Sequence, residues 1–191
     1  MNSLQFLVGT LFRLYMFVLA LRIWFQFCRV DFYNPISQFI VKLTNPVLNP
    51  LRKIIPTVKN IDLAALFFIF FLGMIKLPLF AIFAGNWTSD LVSQNLLAFL
   101  IIGVLSVFKT LGQAIIYVLF AGAILSWFRR GNDSFSYLLY QLSEPILSPI
   151  RRFLPKTGMI DFSPMIVVFL LFWLDRLMYD LLPQLWAIAS A

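Results

Sequence analysis

Few residues in this chain can do covalent chemistry, and the missing types matter most. None of the 191 residues is histidine. That removes the commonest general base, the commonest metal ligand and the usual haem ligand. Neither a Ser–His nor a Cys–His nucleophile can be assembled. The single cysteine, Cys28, allows no internal disulfide and no CxxC metal or redox motif. It reads as a small buried hydrophobe. No Walker-type loop and no GxGxxG occurs. The expectation is a protein that is not an enzyme and holds no cofactor and no metal.

What remains is charge, and it falls in two settings. The first is inside apolar stretches, where ionisable groups are costly and mark functional candidates. Arg13, Arg22, Lys76, Lys109, Asp175 and Arg176 lie there. Lys76 stands 14 residues beyond Asp62, and Asp175 stands 14 beyond Asp161. At 1.5 Å per helical residue, both sit about 21 Å across a bilayer core of about 30 Å. Equal depth and opposite charge predict a Lys76–Asp175 ion pair, with Arg13 and Arg176 as competitors for Asp175. Arg22 lies nearer one end of its stretch. It either snorkels to the surface or reaches inward to Asp62, Asp161 or Glu144. Lys109 is expected to snorkel.

The second setting is two basic connections. One carries Arg29, Lys42, Arg52, Lys53 and Lys59; the other carries Arg129, Arg130, Arg151, Arg152 and Lys156. They are similar in sequence. Leu43-Thr44-Asn45-Pro46-Val47-Leu48-Asn49-Pro50-Leu51-Arg52-Lys53-Ile54-Ile55-Pro56 leads to Ile61-Asp62. Leu142-Ser143-Glu144-Pro145-Ile146-Leu147-Ser148-Pro149-Ile150-Arg151-Arg152-Phe153-Leu154-Pro155 leads to Ile160-Asp161. Three prolines, a basic pair and Ile-Asp keep register at an offset of 99 residues. Such agreement points to an internal repeat. Upstream, Ile36, Phe39, Ile40 and Leu43 match Phe135, Leu138, Leu139 and Leu142 at i, i+3, i+4, i+7. Each set predicts one apolar stripe on an amphipathic helix. Asn34 before Pro35 supplies a cap and an N1 proline, and Asp133 caps the other copy. Pro46 and Pro145 then read as new helix starts, and Pro50 and Pro149 as barriers to a long regular helix. A short stiff turn is the expected result. It holds each basic pair at a fixed height, for anionic lipid headgroups or for a partner.

The surrounding elements must place these charges at a membrane. Hydrophobic residues make up 61% of the chain and charged residues 12%, with 22 Phe. An ordinary soluble domain has about 45–50% apolar and about 25% charged residues. Mean hydropathy is +0.90. Four stretches have spanning length, about Leu4–Phe27, Leu63–Phe83, Leu111–Phe128 and Phe162–Leu182. The first lacks a basic n-region and a cleavage site, so it reads as a retained span. Leu96–Phe108 is short, and is expected as an interfacial helix feeding the third span with a bend near Gly112. One long bent helix is the alternative. Trp24-Phe25 and Trp127-Phe128 are expected at the membrane interface.

Basic residues mark the cytoplasmic side. Both basic connections are therefore placed there, with both termini periplasmic. Much of the formal charge of +7 then lies on one membrane face. Nucleic acid is not an expected partner; anionic headgroups are. The fold class read from these features is an all-α integral membrane protein. It has four spans in two parallel two-span repeats, with amphipathic interfacial helices in the cytoplasmic connections. The repeats cover 1–84 and 111–191, joined by an external connection at 85–110.

The doubled Pro-x-x-x-Pro-basic-basic units, Leu21-Arg22-Ile23-Trp24 and Asp31-Phe32-Tyr33-Asn34-Pro35 resemble the YggT family of bacterial membrane proteins. That resemblance covers nearly the whole chain. It implies links to osmotic-stress adaptation and to potassium or other cation uptake, and it brings no catalytic residues. It transfers Pro46, Pro50, Arg52, Pro56 and Asp62, with Pro145, Pro149, Arg151, Pro155 and Asp161, as signature positions only. The leading expectation is a non-enzymatic inner-membrane protein that organises or helps assemble partners, other membrane proteins or its own copies, at the cytoplasmic face. The alternative is a component of cation uptake. No Asp/Glu ring or carbonyl-filter motif is present to favour the latter.

Overall fold

The computed structural model describes residues 3–31, 33–85, 88, 90–128, 134–154 and 161–191, with 90–94 and 126–128 described by backbone alone. All regular structure among them is helical. The helices are α1 (Ser3–Phe27), α2 (Pro35–Arg52), α3 (Leu63–Phe83), α4 (Asp90–Phe128), α5 (Ser134–Phe153), α6 (Ser163–Leu181) and α7 (Pro183–Ser190). Three are long and apolar enough to cross a membrane: α1, α3 and the Asn95–Leu125 part of α4. α6 does not join them, because Asp175, Arg176 and Asp180 fall within its 19 residues.

α1 and α3 begin and end within a residue of the sequence reading. α1 closes in a Schellman arrangement. The Val30 N–H reaches the Phe25 carbonyl at 3.0 Å, the Arg29 N–H reaches that of Gln26 at 3.2 Å, and Arg29 takes the left-handed position at φ +52°. α2 starts as expected: the Asn34 side chain accepts from the Ile36 N–H at 2.9 Å, and Pro35 occupies the first turn. The Asp133 cap lies outside the described residues.

Two expectations need correction. First, α2 runs through Pro46 and Pro50, and α5 runs through Pro145 and Pro149. No turn breaks either helix there. Each proline pair is spaced by four, so both rings share one face, and that face is exposed in both helices. The carbonyls that lose their donors, those of Lys42 and Pro46 in α2, are left on the outer face within reach of water. Second, 96–108 is not a separate interfacial helix. α4 is continuous for 39 residues, about 58 Å at the α-helical rise, and most of the 85–110 connection belongs to it. Phe99, Ile102 and Leu105 are buried, as packing on α3 and α7 requires. A Cβ on Gly73 would meet Ser106 at 2.6 Å, and one on Gly103 would meet the Phe70 ring at 2.7 Å. Small residues at the crossing thus let α3 and α4 approach closely, which is how membrane helices gain packing energy. Trp24 and Phe25, near the end of α1, are buried in the core.

That core joins Met16, Leu19 and Ala20 of α1 with Ala64, Ala65 and Ile69 of α3 and Ala114 and Val118 of α4. Ile40 and Leu48 of α2 and Leu138, Leu139 and Leu142 of α5 close one end. The predicted stripe is thus buried on α5. On α2 it is rotated: Ser37, Ile40, Thr44 and Leu48 face inward, while Phe39 is 65% and Leu43 43% exposed. Gln141 of α5 ties this end together by donating to the carbonyls of Cys28 and Arg29, at 3.2 and 3.3 Å.

Candidate functional site

Asp62 caps α3, accepting from the Ala65 N–H at 3.3 Å, and its side chain is fully buried. A buried carboxylate demands counter-charge. Two arginines provide it. Arg52, from the last turn of α2, is in direct ion-pair contact with it. Arg22, from α1, places Nε 3.5 Å from the same Oδ2. Of the fates read for Arg22, the structure selects the inward reach to Asp62. Its Nη1 also donates to Thr44 Oγ1 and, at 3.2 Å, to the Val41 carbonyl. Thr44 in turn donates to the Ile40 carbonyl at 2.7 Å. The cluster binds α1, α2 and α3 together at one end of the bundle. A cavity of about 530 Å³ opens beside it, lined by Arg22, Arg29, Arg52, Asn45, Asn49 and Ser37 among others.

The second basic connection builds a related contact with different surroundings. Arg151 Nε donates to Asp161 Oδ2 at 2.8 Å, again ten residues along the chain. Arg151 Nη1 also meets Glu144 Oε2 at 2.7 Å. Asp161 accepts from the Ser163 N–H at 2.9 Å at the start of α6. Ser143 donates to the Leu139 carbonyl at 2.7 Å, as Thr44 does to Ile40. Here one arginine sits between two carboxylates, all more than a third exposed. Burial acts to raise the Asp161 pKa, but hydrogen bonding from Ser163 and Arg151 outweighs it and holds the carboxyl below its ordinary value. Burial acts to lower the Arg151 pKa, and its bonds to Glu144 and Asp161 reverse that, so the guanidinium is held above its ordinary range.

The basic pairs are therefore split in role. Arg52 and Arg151 turn onto aspartates, while Lys53 and Arg152 are exposed. Pro46, Pro50, Pro56, Pro145 and Pro149 are exposed too. Pro155 lies outside the described residues, as do Arg129, Arg130 and Lys156.

In the apolar part, the structure does not join Lys76 to Asp175. Asp175 pairs with Lys109 and accepts from Trp186 Nε1 at 3.0 Å. The Lys109 ammonium also lies 5.2 Å from the Trp186 ring centre, a cation–π distance. Lys109 thus does not snorkel. Lys76 is buried and donates to the Ala189 carbonyl at 2.8 Å. The cause is topological: α3 and α6 each pack on α4 and α7, which supply these partners. Arg176 pairs with Asp180 one turn on at 3.1 Å, and Arg13 donates to Thr10 at 3.2 Å. Trp186 and Ala189 belong to α7, which sequence reasoning missed. Pro183, suited to a first helical turn, is the signal for it.

A model of the CCB3/YggT family matches residues 1–83 and 101–182, each segment containing one of the two Arg–Asp contacts that span ten residues. The chain belongs to the CCB3/YggT family. It is 57% identical over 183 residues to an uncharacterised protein of Haemophilus influenzae, covering 96% of this chain and 95% of the relative. It is 42% identical over 198 residues to the uncharacterised protein YggT of Escherichia coli K12, covering 97% and 98%. A Vibrio alginolyticus protein described by its position in the proC 3′ region is 44% identical, over 97% and 98%. No solved structure matches the chain.

Proposed function

We propose that this family member is a non-enzymatic protein of the bacterial inner membrane that organises or assists assembly of partners at the cytoplasmic face, in osmotic adaptation. It would have four spans, with α6 as the fourth, in two parallel repeats. One observation carries the reading: an arginine–aspartate contact ten residues apart recurs at the end of α2 and of α5. Each contact ties a proline-bearing amphipathic helix to the head of the next helix. That fixes the helix against the bundle and leaves its other face free. The free faces hold Phe39, Lys53 and Ile54 on one side and Tyr137, Tyr140, Arg152 and Phe153 on the other. Exposed aromatics beside basic groups suit headgroups and membrane-protein partners alike. In α6, the Lys109–Asp175 and Arg176–Asp180 pairs lower the cost of charge in a span.

The cation-uptake alternative gains less. Both carboxylates of α6, Asp175 and Asp180, are already paired. Growth at high osmolarity and low potassium separates the readings. Under the assembly reading, Lys53→Glu with Arg152→Glu abolishes protection, while Lys76→Met, and Asp175→Asn made together with Lys109→Met, leave it intact. The reverse pattern, with potassium flux into liposomes holding the purified protein, would establish uptake instead.

A further inference from the structure

The cavity beside Asp62 carries more positive charge than its surroundings neutralise. Arg22, Arg29 and Arg52 line it, and Asp62 is the carboxylate that pairs with two of them. Arg29 has no ion-pair partner among the described residues. Two buried polar atoms here have no hydrogen-bond partner, Arg52 Nε and Ser37 Oγ, and Ser37 is only 5% exposed. Donors left unpaired in a buried site are costly, so they mark a place for an acceptor.

The matched position on α5 shows what such an acceptor does. There Glu144 puts a carboxylate on Arg151. By the 99-residue offset its counterpart is Asn45, which is neutral and lines the cavity. The second connection carries its own anion where the first leaves room for one. Arg29, just past the end of α1, lines the same cavity and brings a third guanidinium to it.

We propose that this cavity binds a phosphate group, supplied by a lipid headgroup or by free phosphate, with Arg22, Arg29 and Arg52 as charged donors and Ser37, Asn45 and Asn49 as neutral ones. Fork-shaped guanidinium groups suit phosphate oxygens. The site requires neither the assembly role nor the fourth span.

The test uses the full chain in a neutral detergent at low salt. Binding of inorganic phosphate, dihexanoyl phosphatidylglycerol and dihexanoyl phosphatidylcholine is measured by thermophoresis. Saturable binding of phosphate or phosphatidylglycerol is expected. Asn45→Glu should weaken it about tenfold or more by supplying an internal anion, and should keep or raise thermal stability without ligand. Arg29→Gln, at an exposed residue, should weaken it similarly. Arg152→Gln should leave it unchanged. Binding of inorganic phosphate identifies the free ion as a sufficient ligand; binding of the glycerol lipid alone identifies a headgroup held with its glycerol. No saturable binding of any probe, or equal binding by wild type and Asn45→Glu, would overturn the proposal.

Discussion

Asp62 and Asp161 stand ten residues beyond an arginine in each connection, yet the loss of their charge should have unequal effects. Asp62 is fully buried between Arg22 and Arg52, so Asp62→Asn leaves two cations without a counter-ion. A cost of about 3–5 kcal/mol is expected for such a change. Asp161 is exposed, and Asp161→Asn should cost about 1 kcal/mol or less. Unfolding in mixed micelles checks both. The pH response follows from the second pair. The folded Asp161 pKa is depressed, so its contribution is present above the ordinary value and is lost as pH falls through the lower folded value. Protection of the amides at the α5–α6 junction, taken as exchange relative to the intrinsic rate at each pH, should be constant above about pH 5 and fall only below the ordinary aspartate value of about 3.9. A loss of protection centred near pH 6 would contradict the assignment. At this scale the sequence was legible in types and less so in partners. Counting residues gave Lys76 and Asp175 matching positions along α3 and α6. It did not give the rotation of each side chain about its helix axis, and that rotation hands Asp175 to Lys109.

At the scale of elements, α3 was the most legible, because the Asp62 cap marks its start and its apolar run its length. α2 and α5 were legible up to their prolines. Proline normally ends a helix, and only the four-residue spacing on an exposed face shows how these two continue. α7 was hidden because eight residues are too few to show a distinct period. The α3–α4 crossing gives a sharp prediction. Gly73→Ala would force its Cβ against Ser106 and should destabilise by about 1–3 kcal/mol. Gly122→Ala, with nothing within 4 Å of the new atom, should instead stabilise α4 by about 0.5–1 kcal/mol. Thermal unfolding of the two variants checks the contrast.

For the whole molecule, the composition pointed to a membrane protein, and three helices meet the spanning criterion. The proposed fourth span, α6, falls short of it because a hydropathy reading counts Asp175, Arg176 and Asp180 as isolated charges. In the folded chain all three are paired. The central proposal is four crossings, with both basic connections on the cytoplasmic side. It is tested most directly by labelling single cysteines with a membrane-impermeant maleimide in a Cys28→Ser background. Thr88→Cys and Gln184→Cys should label in intact spheroplasts. Lys53→Cys and Arg152→Cys should label only in inverted vesicles. Labelling of Gln184→Cys from the same side as Lys53→Cys would mean that α6 does not cross, and would contradict the account.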